Sequence, residues 1–338
     1  MENNPLCSVV MSVYNGDEFL PIAIESILQQ TYKNFEFIII NDASTDNSLK
    51  TIQAYNDDRI IIIDNDKNIF LAASLNKGIK TSKGKYILRM DADDISMPDR
   101  LEKQVEYMER NPNIGISGTS SEIIGHGSGF GKYQQESNQI KFNLLYECHL
   151  LHPTIIIRKD LIVEHQLYYD ESYRKNQDYE LFVRGISLTD YGNLPDYLIK
   201  YRQTEENIKR EVHNQNKNIL NIQKQLFLKL GLKINENELS IYKSINLQIY
   251  NQSPDFVYQT YSLLKKMVES NKKTLLFEMK PFQNHLSKLF ENVCRNSNES
   301  PLSTFIIYKK SKLTTNYLRK SKILLILLFK LSTLIFKK

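Results

Sequence analysis

The first hundred residues alternate between two hydrophobic periods. Short runs rich in Val, Ile and Phe, "SVVMSVY" (8–14), "FEFIIIN" (35–41), "IIIID" (60–64) and "KYILRM" (85–90), read as buried parallel strands. A strand covered on both faces shows a continuous apolar run rather than strict alternation. Between these runs the apolar positions recur at helical spacing. "LPIAIESILQQ" (20–30) puts Ile24, Ile27 and Leu28 on one face, "TDNSLKTIQAY" (45–55) opens on a capping-type residue, and "LAASLNKGIKTS" (71–82) repeats the spacing. Strand and helix in alternation predict an α/β fold with an open, parallel sheet of doubly wound type, whose ligands bind at the carboxyl ends of the strands. The polar residues at those ends, Tyr14-Asn15-Gly16, Asn41-Asp42, Asp64 and Asp91-Ala92-Asp93-Asp94, are therefore expected to face one crevice.

After about residue 205 the pattern changes to longer segments rich in Asn, Lys, Leu and Tyr at helical spacing, such as "NILNIQKQLFLKLGL" (218–232) and "YQTYSLLKKMVES" (258–270). They predict a helical appendage over 206–312, whose plainest role is to pad the first domain. The stretch 313–338 differs again. From Arg319 onward a helical projection gathers Arg319, Lys322, Lys330, Thr333 and Lys337 on one arc, with Ile326 intruding, while Leu, Ile and Phe cover the rest. The apolar run Ile323 to Phe329 falls well short of the roughly 20 residues needed to span a bilayer. A basic amphipathic helix lying on a membrane surface is expected, the alternative being a helix docked on this protein or at a dimer contact.

Composition adjusts this picture in three ways. With 338 residues and 41% hydrophobic content the chain can bury a full core, enough for one large domain and a smaller C-terminal piece. The net charge of +5 is modest but uneven: acidic residues gather in the loops of the first hundred positions, and the last thirty carry Lys and Arg without Asp or Glu. No basic stripe interleaved with aromatics marks the first domain, which argues against nucleic acid as a partner. Cys7, Cys148 and Cys294 are far apart and lack metal-site spacing, so neither a disulfide framework nor a zinc site is expected. Together with an N-terminus that lacks a signal-peptide pattern, this leads us to expect a cytoplasmic chain, which the basic tail would hold peripherally on the inner face of the cell membrane.

The candidate chemistry begins at "RMDADDISMPDRL" (89–101), where Asp91, Asp93 and Asp94 crowd the end of a buried strand. Carboxylates this close repel one another unless a cation neutralises them, and a hard divalent ion, Mn2+ or Mg2+, shared with substrate phosphates, is the natural occupant. The plain alternative is a solvated turn capping the next helix, for which Pro98 suits the first turn. An Asp-x-Asp motif alone recurs by chance, so its neighbours carry the weight.

Those neighbours come in order: "SVVMSVYNGDEFLPIAIESILQQTY", "FIIINDASTDNS", "N…AASLNKGI…KGKYILRMDADD", "MPDRL", "HPTIIIRK" and "NQDYELFVRG". This succession, over roughly residues 6 to 205, closely resembles the family 2 glycosyltransferases, inverting enzymes of the nucleotide-sugar-binding GT-A fold. The resemblance implies that Ser12 and Tyr14 line the base pocket and that Asp42 contacts uracil or another base. It implies that Asp91 reaches the donor ribose or sugar, that Asp93, with Asp94 beside it, holds the metal on the diphosphate, and that Asp178 is the catalytic base. It also puts His152 near the acceptor and the donor diphosphate, although a lone His is usually structural, and Arg202 in a closing segment that touches the diphosphate. "HPTIIIRK" itself reads as an edge strand with His152 at its start.

Elementary chemistry supports these roles. Glycosyl transfer needs a leaving group whose growing negative charge is stabilised and an acceptor hydroxyl that is deprotonated as it attacks. Asp178 opens the amphipathic segment "DYELFVRGISL", in which Leu181, Phe182 and Ile186 can pack inward, leaving the carboxylate at a helix start, favoured as an anion by the dipole; the alternative is a plain N-cap. Two positions depart from the family pattern: Gln177 stands where relatives usually have Glu, and Phe70 where a Gly is common. The glycines of "GHGSGFGK" (125–132) lack the strand-to-helix context of a phosphate loop and read as a mobile loop near the site mouth.

Other functions fit less well. A sugar nucleotidyltransferase should open with a basic Gly-rich loop, and a processive membrane synthase should carry spanning helices and a Gln-x-x-Arg-Trp motif, whereas this chain has no Trp. A non-catalytic scaffold or binding subunit should have lost the carboxylates. The expectation is a GT-A catalytic domain at 1–205, the helical appendage at 206–312 and the membrane-surface helix at 313–338. Its reaction is inverting transfer of a hexosyl or N-acetylhexosaminyl group from a nucleotide-sugar donor, UDP-sugar favoured, to a glycan or lipid-linked acceptor in surface-polysaccharide, capsule or lipopolysaccharide biosynthesis.

Overall fold

In the computed structural model, which describes residues 7–204, 217–250, 255–297 and 301–311 with 313, 324 and 326–328, the four apolar runs form strands β1 (Cys7–Val13), β2 (Phe35–Asn41), β3 (Ile60–Asp64) and β4 (Tyr86–Asp91). β1 pairs in parallel with β2 and β4, and β2 with β3. β2 is buried at all its positions, which is why it shows no polar alternation. Helices α1 (Leu20–Leu28), α2 (Ser48–Gln53) and α3 (Phe70–Thr81) connect them.

The two faces of β1 are packed differently. Cys7, Val9, Met11 and Val13 meet Leu20, Ala23, Ile24 and Ile27 of α1, together with Leu101, Val105 and Met108 of α4 (Arg100–Arg110). Each fully buried side chain of this kind stabilises the fold by about 1.5–3 kcal/mol. On the other face α3 comes so close that a Cβ at Gly78 would lie 2.5 Å from Val10 Cγ1 and 2.8 Å from Ile40 Cδ1. The expected first-turn position of Pro98 is not observed: α4 starts at Arg100 with Asp99 as its N-cap, and the Pro98 carbonyl instead accepts the Thr31 N–H.

Beyond β4 the sheet becomes mixed. β5 (Ile95–Ser96), β6 (Ile114–Gly125), β7 (Gly129–Gly131), β8 (Ile156–Arg158) and β9 (Asp190–Gln203) complete the order β3-β2-β1-β4-β8-β6-β9-β5, with β7 paired to β6. β8 is antiparallel to both β4 and β6, and β9 is parallel to β6. "HPTIIIRK" is therefore an interior strand, not an edge, and His152 precedes it in a 3-10 turn (His152–Thr154). Helices α5 (Ser137–Asn143), α6 (Lys159–Glu164) and α7 (Gln177–Gly185) flank this half. The Gly-rich stretch forms the β6–β7 hairpin, with Gly129 opposite Ile123 and Gly131 opposite Ser121.

The chain divides between Ile222 and Gln223 into two compact units. The boundary falls within α8 (Lys217–Lys229). The second unit is helical, with α9 (Glu236–Asn246) opened by a capping box between Asn235 and Glu238, then α10 (Phe256–Thr274), α11 (Met279–Asn296) and α12 (Pro301–Lys310). Phe290 of α11 stacks on Tyr308 of α12 with centroids 5.9 Å apart. The expected membrane-surface helix at 313–338 lies, apart from Leu313, Leu324 and Ile326 to Leu328, outside the described residues. Among the described residues no helix is long and apolar enough to cross a membrane.

Candidate active site

β1 and β4 are neighbours, and their register sets Ser12 opposite Asp91. Just past their carboxyl ends opens a crevice of about 720 Å3, lined by Ser12, Tyr14, Asn15, Asp17, Phe19, Asp46, Asp91, Asp93 and Thr204 among others. Tyr14 is 52% exposed there, its ring free to meet a flat ligand. Asn41, Asp42 and Asp64 at the ends of β2 and β3 do not line this crevice, whereas Asp46 of the loop after β2 does. Asn41 donates from Nδ2 to Asp64 Oδ1 at 2.7 Å, and Asp42 is buried. The Asp42 carboxylate accepts from Asn65 Nδ2 at 2.9 Å, the Ile69 N–H at 2.9 Å and the Phe70 N–H at 2.8 Å. Asp42 thus ties down the turn into α3, and of the four strand ends those of β1 and β4 line the crevice, joined by Asp46 from the loop after β2.

The acidic turn is tightly drawn. Asp91, Asp93 and Asp94 each offer an oxygen within 4.8 Å of the others. Burial, then the neighbouring Asp91, pushes the pKa of Asp93 up to about 6, and burial with both neighbours pushes Asp94 well above the ordinary carboxylate range. Asp94 is 1% exposed; its Oδ1 accepts the Arg202 N–H at 2.7 Å, while its buried Oδ2 has no partner. A cluster of hard oxygen donors with one buried oxygen unsatisfied fits a divalent cation of the Mg2+ or Mn2+ kind. Arg202 straps the turn: its Nε donates to the Asp93 carbonyl at 2.8 Å, and its guanidinium lies 3.9 Å from the centroid of Phe19.

Asp178 is half-buried at the second position of α7, with Asn176 as N-cap, so it is not a plain capping residue. Leu181, Phe182 and Ile186 are buried, as the amphipathic pattern requires. Burial raises the pKa of Asp178, against the lowering effects of the Tyr179 N–H and of Arg89. The dipole alone predicts the opposite direction, and desolvation wins. His152 is buried, 2.8 Å from the Tyr169 hydroxyl through Nε2, and burial holds it well below its usual pKa, hence neutral. Neither His152 nor Asp178 lines the 720 Å3 crevice.

Residues 8–166 match the family described as glycosyl transferase family 2. An uncharacterized glycosyltransferase of Haemophilus influenzae is 37% identical over 215 residues, covering 60% of this chain and 67% of that protein. The O-antigen biosynthesis glycosyltransferase WbnJ of Escherichia coli is 33% identical over 209 residues, covering 58% of this chain and 79% of WbnJ. The chain belongs to glycosyl transferase family 2. This glycosyltransferase also shares its fold with S. aureus TarS 1-349, solved in complex with UDP-GlcNAc, at a TM-score of 0.57 and 16% identity over 86% of this chain and 90% of TarS 1-349.

Two arginines of the glycosyltransferase escaped the sequence reading. Arg89 sits inside the apolar run of β4 and is 4% exposed; it ion-pairs through Nη1 with Asp91, on the same face two residues on. Arg100, fully buried, donates from Nη2 to the carbonyls of Arg89 and Pro153, each at 2.8 Å, joining β4 to the 3-10 turn. The signal for Arg89 was available: a charged residue in a strand buried on both faces has to find a partner. Phe70 has φ 69, the left-handed conformation that a Gly adopts without strain, and the Arg174 guanidinium lies 3.1 Å from its ring centroid.

Proposed function

We propose that this glycosyltransferase moves a sugar, with inversion, from a UDP-sugar to a hydroxyl of a glycan or lipid-linked acceptor in surface-polysaccharide or lipopolysaccharide assembly. The observation that carries this reading is the gathering of Asp91, Asp93 and Asp94 at the mouth of a crevice large enough for a nucleotide. Tyr14 and Ser12 receive the base and ribose, and Asp91 turns to the donor sugar. Asp93, with Asp94, holds Mn2+ or Mg2+, which when bound stabilises the charge growing on the departing diphosphate. Asp178 takes the proton of the acceptor hydroxyl, and its raised pKa suits a base. Arg202 adds positive charge beside the diphosphate. Asp42 and His152, both buried, act through the turns they hold. The donor class follows the UDP-GlcNAc complex of TarS, and the acceptor class follows the O-antigen role in the name of WbnJ. The tail at 313–338 would keep the enzyme at an anionic membrane face, where lipid-linked acceptors are presented.

The test is release of nucleoside diphosphate from a panel of UDP-, GDP- and dTDP-sugars with Mn2+. Turnover of a UDP-sugar that disappears with chelator and in Asp93→Ala is expected. An Asp93→Ala enzyme that keeps both rate and metal dependence would sink the metal assignment. Failure to bind UDP with Mn2+ at all would sink the reading as a whole.

A further inference from the structure

The crevice is strongly acidic. Asp17, Glu18, Asp46, Asp91 and Asp93 line it, and among the described residues no Lys or Arg does. A diphosphate brought there meets like charge unless cations are held beside it. Arg202 touches two of the lining residues, Asp93 and Phe19, and its place is set by contacts on several sides. It stands on β9 opposite Ile124, its N–H is taken by Asp94 Oδ1 at 2.7 Å, and its Nε is taken by the Asp93 carbonyl at 2.8 Å. The stem is confined as well, since a Cβ at Gly125 would lie 3.3 Å from Arg202 Cγ. With Nε spent on the Asp93 carbonyl, only the Nη groups remain to meet phosphate oxygens, and the surface against which the guanidinium rests is the Phe19 ring, 3.9 Å from its centroid.

Phe19 is itself fixed. Its N–H donates to the Gly16 carbonyl and its own carbonyl accepts from the Ala23 N–H, each at 3.1 Å, where the chain enters α1. The same turn lies against the acidic one: a Cβ at Gly16 would come within 3.6 Å of Ala92 Cβ. The start of α1, the end of β9 and the turn after β4 therefore meet at one point, and the ring of Phe19 is the part of α1 that meets the guanidinium.

We propose that Phe19 is a positioning residue, whose ring seats the Arg202 guanidinium beside the acidic turn so that it meets the diphosphate of the donor. The proposal rests on the reading of Arg202 as a charge at that diphosphate. A long side chain without such a seat loses rotamer freedom when a ligand orders it, and an aromatic face removes part of that cost in advance. Leu at position 19 would fill similar room without the attraction of a π face, whereas Tyr would keep it.

The experiment is a double-mutant cycle on binding, with UDP–Mn2+ and uridine titrated separately into each variant of the 338-residue chain. Phe19→Leu should weaken UDP–Mn2+ binding by roughly fivefold and uridine binding by less than about twofold, and Phe19→Tyr should stay within about twofold of the native protein for both. In an Arg202→Met background, which keeps the backbone N–H that Asp94 accepts, Phe19→Leu should cost less than about twofold. The same fivefold loss in both backgrounds would mean that the ring acts without Arg202, and equal losses for uridine and UDP would mean that it packs on the nucleoside or merely holds the fold; either overturns the proposal. Where uridine binds too weakly to titrate, the cycle decides alone. If Phe19→Leu does not fold, Phe19→Met takes its place with the same outcomes. An Arg202→Met protein that binds UDP–Mn2+ as tightly as the native one overturns the reading of Arg202 and the proposal together. Failure of the proposal alone shows instead a weakened Arg202→Met beside an additive Phe19→Leu.

Discussion

At the scale of single residues, opposing forces meet on one carboxylate. Asp178 is pushed toward its neutral form by desolvation and by Asp91, and toward its ionised form by the Tyr179 N–H and Arg89, with the first pair prevailing. A base works only when ionised, so kcat/KM should fall as pH drops through this raised pKa. The acid limb is expected above the ordinary aspartate range, near pH 4; a limb at or below that value would contradict the burial argument. The clustering of Asp91, Asp93 and Asp94 was legible from sequence because three carboxylates within four positions at a strand end have to lie close together. Asp42 was legible as important but not as inward-facing, since the donors that capture it come from Asn65, Ile69 and Phe70, and their approach depends on how the chain turns into α3.

At the scale of elements, β1 to β4 could be read to within one residue because each is a predominantly apolar run, broken only by isolated residues such as Ser12, Glu36 and Arg89. β6 could not. Its buried positions include Ser117, Thr119, Ser120 and Ser121, and the Thr119 hydroxyl satisfies itself on the Ser120 carbonyl at 2.9 Å, so a buried strand there looks like a loop. The seat of α3 on the sheet gives an element-scale prediction. Ala is favoured over Gly in a helix by about 1 kcal/mol. At position 78, however, the added methyl meets branched side chains of β1 and β2 that cannot swing aside. Overpacking of this kind costs about 1–3 kcal/mol, so Gly78→Ala should lower the denaturation midpoint without changing the m-value, and a stabilised variant would show the interface to be looser than described.

At the scale of the whole molecule, the two units are proposed to do different work. The first carries all the residues assigned to chemistry, and the second, with its basic C-terminal segment, is assigned to place the enzyme at a membrane. The 338-residue chain should co-sediment with vesicles rich in anionic lipid, less so at high salt. A chain ending at residue 312 should stay in the supernatant while hydrolysing its UDP-sugar at an unchanged rate. Equal sedimentation of both would assign the attachment elsewhere.

The sheet order also has a consequence for synthesis. β8 lies between β4 and β6 in the sheet but follows both in the chain, so the open edge of β4, which ends at Asp91, has to wait for a partner that begins at Ile156. At roughly 5–20 residues per second, ribosomes leave that edge bare for about 3–13 s. During that time the nascent chain offers the unpaired edges of β4 and, once made, of β6, whose further partner β9 begins only at Asp190, to any neighbouring polypeptide. The acidic turn thus follows a strand whose pairing is completed late, and slowing translation between residues 126 and 158 would lengthen the period in which aggregation competes with folding.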